Sequence, residues 1–81
     1  MDLFIVSYDL IAGKNYKRII DKLTSMGAKR VLLSAWAVRS SQTTPDLRTT
    51  LQGYIDSDDR LIVIKVATWA TFNALIDMNQ V

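Results

Sequence analysis

At 81 residues the chain has room for one domain and no second. It contains neither cysteine nor histidine, which excludes disulfides, thiol and imidazole chemistry, and zinc sites built from those ligands. Every acid is an aspartate, the net charge of +2 is too mild to announce nucleic acid by itself, and no apolar run approaches the roughly 20 residues of a bilayer span.

A domain this small buries only about 60–65% of its unfolded surface, so oligomerisation is the remaining source of extra stability. The hydrophobic fraction of 49% suits a chain that buries more than one face. Met1-Asp2 leads straight into a strand-like run without a basic region or cleavage site, so we expect no signal peptide and a soluble, cytoplasmic protein with no membrane contact.

Leu3 to Tyr8 is β-branched and aromatic and predicts a strand that Asp9 ends. Leu10 to Gly13 is a connection. From Asn15 the period becomes helical, with Tyr16, Ile19, Ile20, Leu23 and Met26 on one side and Lys17, Arg18, Asp21 and Lys22 on the other. Gly27 is placed to stop this helix. Val31 to Leu33 and Trp36 to Val38 read as two short strands joined around Ser34-Ala35, or as one long bent strand, because the turn lacks glycine and asparagine. Thr44-Pro45-Asp46 predicts a helix start with Thr44 as N-cap and Pro45 at N1. Leu47, Leu51, Tyr54 and Ile55 form its apolar stripe. Asp56 to Asp59 is a turn, and Leu61 to Val66 a nearly unbroken apolar strand. Trp69, Phe72, Leu75 and Ile76 then suggest a short helix or a further strand.

This order predicts an α+β fold of ferredoxin-like β-α-β-β-α-β type, an antiparallel sheet with two helices on one face. Residues 1–67 form the domain and 68–81 a C-terminal tail. We place the first and last strands at the sheet centre. Phe4 and Val6 point one way, Leu3 and Ile5 the other, and the last strand is apolar on both sides too. The helices shield one face. The second needs the tail or another copy of the chain, since a bare patch of several hundred Å² is rare on monomers. A homodimer with sheets face to face is the expectation, with the tail packing on the dimer.

Asp9 ends a central strand on the face of Leu3 and Ile5. Across a dimer axis, two such carboxylates ~5 Å apart would repel by ~3 kcal/mol at an effective dielectric of ~20. A proton or a hard divalent cation would relieve that cost, magnesium above all. The plainer alternative is a strand-end aspartate that caps a turn. Lys14, Lys17, Arg18, Lys22, Lys29 and Arg30 make one part of the chain basic. They are a groove for nucleic-acid phosphates or a solvated helix face paired by Asp21. Trp36 and Trp69 are core or interface residues, or base-stacking groups. Ser7 and Ser34 have no base beside them, and we assign neither as a nucleophile.

The run Phe4 to Leu10, the basic amphipathic helix after it, and Lys29-Arg30-Val31 leading into Ser34-Ala35-Trp36 together resemble the small CRISPR-associated spacer-acquisition nuclease family. They are also similar to virulence-associated protein D toxins and to short relatives of both. The resemblance reaches about residue 67, and its tail and Ala37 depart from the family pattern. It implies a ferredoxin-like homodimer that takes part in antiviral defence. Asp9 would be the magnesium ligand and catalytic residue for phosphodiester hydrolysis, acting as an endonuclease or endoribonuclease. Ser34 and Trp36 would match the later motif. Some members act without catalysis, as a dimeric bridge in a larger protein complex that handles DNA.

Three functions follow as expectations. The first is a magnesium-dependent nuclease of DNA or RNA. The second is a non-catalytic adaptor whose binding depends on Lys17 and Arg18. The third is a phage or mobile-element inhibitor that blocks a defence complex by protein contact.

Overall fold

The computed structural model describes residues 1–11 and 16–81. Strand β1 (Asp2–Asp9) is followed by helix α1 (Lys17–Ser25), strands β2 (Lys29–Leu32) and β3 (Ala35–Ser40), helix α2 (Thr44–Gln52) and strand β4 (Arg60–Lys65). The four strands form one antiparallel sheet in the order β2-β3-β1-β4. This is the α+β ferredoxin-like arrangement expected. One placement differs: β4 lies at an edge, and the central strands are β1 and β3. The first unit, β1-α1-β2, leaves its closing strand β2 at one edge beside β3, and the second, β3-α2-β4, leaves β4 at the other edge beside β1.

Alternation along β1 divides the core in two. Phe4, Val6 and Tyr8 face the helices and pack with Ile19 and Leu23 of α1, Leu47 and Leu51 of α2, and Trp36 and Val38 of β3. Leu3 faces the other way and packs with Val31, Ala37 and Met78, with Ile5, Val66, Ala74, Ile76 and Val81 around them.

Helix α1 ends as its sequence foretells. Gly27 adopts φ +78°, donating its N–H to the Thr24 carbonyl while Ala28 donates to Leu23, both at 3.0 Å. This doubly bonded left-handed stop satisfies two helix-end carbonyls. No atom stands within 4 Å of where a Cβ would sit, so Gly27→Ala meets only backbone strain. We expect it to cost about 1 kcal/mol, read as a lower urea midpoint at unchanged slope.

Helix α2 starts one residue earlier than expected. Thr43, not Thr44, is the N-cap, and its Oγ1 accepts from the Asp46 N–H at 3.2 Å. Pro45 therefore stands at N2, where a missing N–H is equally harmless. The helix stops at Gln52, so Tyr54 and Ile55 pack on the core from the segment that follows it.

Residues 29–40 form two strands, turning at the exposed Leu33 and Ser34. A register shift between Arg30 and Leu32 bends β2 there.

The tail is neither a helix nor a strand over residues 66–77 and closes in a three-residue 3-10 turn, Met78–Gln80. Asn73 at φ +54° breaks the helical spacing of its apolar residues. The tail crosses the second sheet face. Leu75 N–H donates to the Val31 carbonyl at 2.8 Å, Met78 is buried, and Arg39 Nε donates to the Val81 carbonyl at 2.9 Å. It covers only part of that face. Ile62 and Ile64 of β4 stay 54% and 47% exposed, and Phe72 of the tail is 88% exposed.

Candidate functional site

The site is built at the end of β1. Odd-numbered residues of this strand face away from the helices, so Ser7 and Asp9 follow Leu3 and Ile5 onto the second face. Ser7 pairs in register with Ala35 and Ile62, and Asp9 with Arg60. The Ser7 hydroxyl donates to the Ser34 carbonyl at 2.8 Å. That bond ties the Ser7-Tyr8-Asp9 strand end to the Ser34-Ala35-Trp36 turn, bringing together two motifs 27 residues apart. Beside them a shallow hollow of about 230 Å³ is lined by Ser7, Tyr8, Asp9, Arg60, Leu61 and Ile62.

The Asp9 carboxylate is exposed. Among the described residues it accepts no hydrogen bond and pairs with no cation. It therefore caps no turn there. Both carboxylate oxygens stay open to a hard cation, a substrate group or water.

The opposite face holds the motif's aromatic. Trp36 is buried against the helices, its Nε1–H donating to the Tyr8 hydroxyl at 3.2 Å. The Arg30 guanidinium lies 4.6 Å from its ring centroid, a stacked cation–π contact. Arg30 Nε is buried without a partner among the described residues. Trp36 is thus a core residue and offers no face for a base. Trp69 is on the surface.

Among the described residues, the basic candidates are spread over more than one face. Lys14 lies outside the described residues. Lys17 pairs with Asp21 one helical turn on. Arg18 donates to the Gly53 carbonyl at 3.0 Å and approaches Asp56 at 3.7 Å, so it fastens α1 to the end of α2. Lys22 sits over the Tyr54 ring at 5.3 Å. Lys29 is exposed on the second face, in register with Ala37, and Arg30 flanks Trp36. Lys17 thus stands on the helix face beside Asp21 and Lys22 against Tyr54, while the second face carries Lys29 and Arg60.

A group that the sequence reading treated only as a turn is a knot of carboxylates. One oxygen each from Asp56, Asp58 and Asp59 lie within 4.8 Å of one another. The tight Asp-Ser-Asp-Asp spacing was the available signal. The knot has structural work: Asp59 accepts from the N–H of Ile11 at 3.0 Å and of Asp56 at 2.8 Å. It locks the entry to β4 against the exit of β1.

Among the described residues, oxygen for a cation is offered by the single Asp9 carboxylate and by the Asp56 knot. Magnesium takes one or two carboxylates and fills the rest of its octahedron with water and phosphate. Asp9 fits that demand in kind, being exposed and uncommitted. In number it supplies one carboxylate, the lower end of that range. No helix among the described residues is long and apolar enough to cross a membrane.

The family model described as CRISPR associated protein Cas2 matches residues 1–74, past the end of β4 and into the tail. No solved structure matches the chain. With nearly its whole length covered, the chain belongs to the Cas2 family.

Proposed function

We propose that this Cas2-family chain acts on nucleic acid as a homodimer, with Asp9 and its symmetry mate forming a magnesium-dependent phosphodiesterase site. The observation that carries the reading is the exposed, uncommitted Asp9 carboxylate on the sheet face that keeps Ile62 and Ile64 bare. A face-to-face dimer would bury those side chains and draw two aspartates toward one axis. Lys29 and Arg60 on the same face would meet phosphate oxygens. When bound, magnesium supplies a water of lowered pKa and neutralises charge on the phosphate. The chain's own part is to hold the carboxylate at a rigid strand end, fixed through Ser7 and Ser34.

The test is cleavage of end-labelled RNA and DNA by the wild type and by Asp9→Asn, with magnesium and with a chelator. We expect cleavage to need the metal. Asp9→Asn should lose more than the roughly 10–100-fold that follows loss of an outer-shell partner, while dimerisation stays intact. Equal activity in the variant would end the assignment.

A non-catalytic bridge is the second reading, favoured by the single carboxylate that each copy contributes. It predicts no cleavage in the wild type, and salt-sensitive binding that Asp9→Asn leaves in place.

A further inference from the structure

The tail does not close down on the sheet it crosses. Between them lies an apolar hollow of about 400 Å³, whose walls include Ile5, Ala35, Ile64, Val66, Trp69 and Met78. The hollow is open to solvent, so its apolar lining is surface that a partner could cover. Three residues from Trp69 along the same tail stands Phe72, 88% exposed, the most exposed large apolar side chain of the described residues. An open apolar hollow whose wall includes residues 69–71 and an unburied aromatic at the next position of the chain thus adjoin.

A knob and a hole on the same face of one molecule are self-complementary under a two-fold axis, which seats each knob in the partner's hole. We propose that Phe72 is the anchor of the homodimer, entering the hollow between tail and sheet of a second copy, while that copy's Phe72 enters the first. This rests on the homodimer reading above and gives it a contact. The size agrees, since an aromatic side chain buries about 150–250 Å² and is the usual kind of interface anchor. The surface is also continuous with the bare Ile62 and Ile64, so the knobs would sit within a wider apolar contact. The alternation of β1 leaves the partner open to the Asp9 end of the same face.

The test is the self-association constant by analytical ultracentrifugation, with the full chain as it stands. Phe72→Ala should weaken dimerisation by at least about 30-fold, a hot-spot loss, without moving the urea midpoint measured at concentrations where the chain is a single copy, because the side chain is exposed. Ala35→Leu, which partly fills the hole, should weaken it as well. Mixing the two variants restores one knob and one hole, so the mixed pair should associate more tightly than either variant alone. That recovery cannot come from a purely structural role. A Phe72→Ala chain that dimerises like the wild type would overturn the anchor and leave the homodimer standing. A wild type that stays a single copy at millimolar concentration would overturn both. Should that single copy bind an apolar fluorescent dye in the hollow, the hollow belongs to a small ligand and the proposal also falls.

Discussion

Replacing Phe4 with alanine is expected to remove about half of the stability of the chain. Phe4 is 1% exposed and stands on central strand β1, in register with Val38 on one side and Lys65 on the other. Its ring lies on the helix face with Val6 and Tyr8, packed in the cluster that holds Leu23, Leu47 and Leu51. Truncating a buried phenylalanine costs about 3–5 kcal/mol, the lost transfer energy plus the cavity left behind. A domain of this size has about 4–12 kcal/mol in total. At the middle of that range, about 8 kcal/mol, the urea midpoint of Phe4→Ala should therefore fall by roughly 40–60%, with part of the population unfolded in buffer at the low end. Ile62→Ala is the control. Ile62 is half-exposed on the edge strand, and in dilute solution its loss should change stability by about 0.5 kcal/mol or less. Should the two variants have similar midpoints, the division of the sheet into a packed face and a bare one would be wrong.

Both halves of that contrast could be read from the alternation of β1 and the apolar run of β4. Which strands sit at the centre could not. Local pattern gives a strand its two faces, but its neighbours are set by the crossovers, and only the register shows β4 at the edge. The end of α1 was legible because Gly27 is permitted a backbone that other residues resist. The start of α2 was legible to one residue, since Thr43 and Thr44 carry the same hydroxyl and only the bond to Asp46 decides between them. The tail was not legible, because Trp69, Phe72, Leu75 and Ile76 fit a helical period while the chain follows an irregular path held by Met78 and Arg39. At the candidate site, Asp9 followed from strand parity. The Ser7–Ser34 bond that fixes its surroundings spans 27 residues, beyond any local signal. The Lys17–Asp21 pair has i,i+4 spacing and could be foreseen, whereas the bond from Arg18 to Gly53 depends on the tertiary fold.

Trp36 is where the two readings of an aromatic motif residue part, and substitution separates them. As a base-stacking residue it would lose nucleic-acid affinity by about 1–3 kcal/mol per stacked base on truncation, with the fold untouched. As the core residue seen here, Trp36→Ala should instead cost about 3–5 kcal/mol of stability, removing the partner of the Tyr8 hydroxyl and the surface under Arg30. Trp36→Phe keeps much of the ring volume and loses the indole N–H, and we expect a loss of about 1–2 kcal/mol. Adding Tyr8→Phe to that variant removes the other end of the same bond. The double variant should then be less destabilised than the sum of its single changes, because the two groups share one interaction. Binding to single-stranded RNA, measured per folded molecule, should be the same for Trp36→Phe and the wild type. A variant with an unchanged urea midpoint and tenfold weaker binding would move Trp36 out of the core and onto the nucleic-acid surface. The burial of its ring between Arg30 and the helices argues against that result.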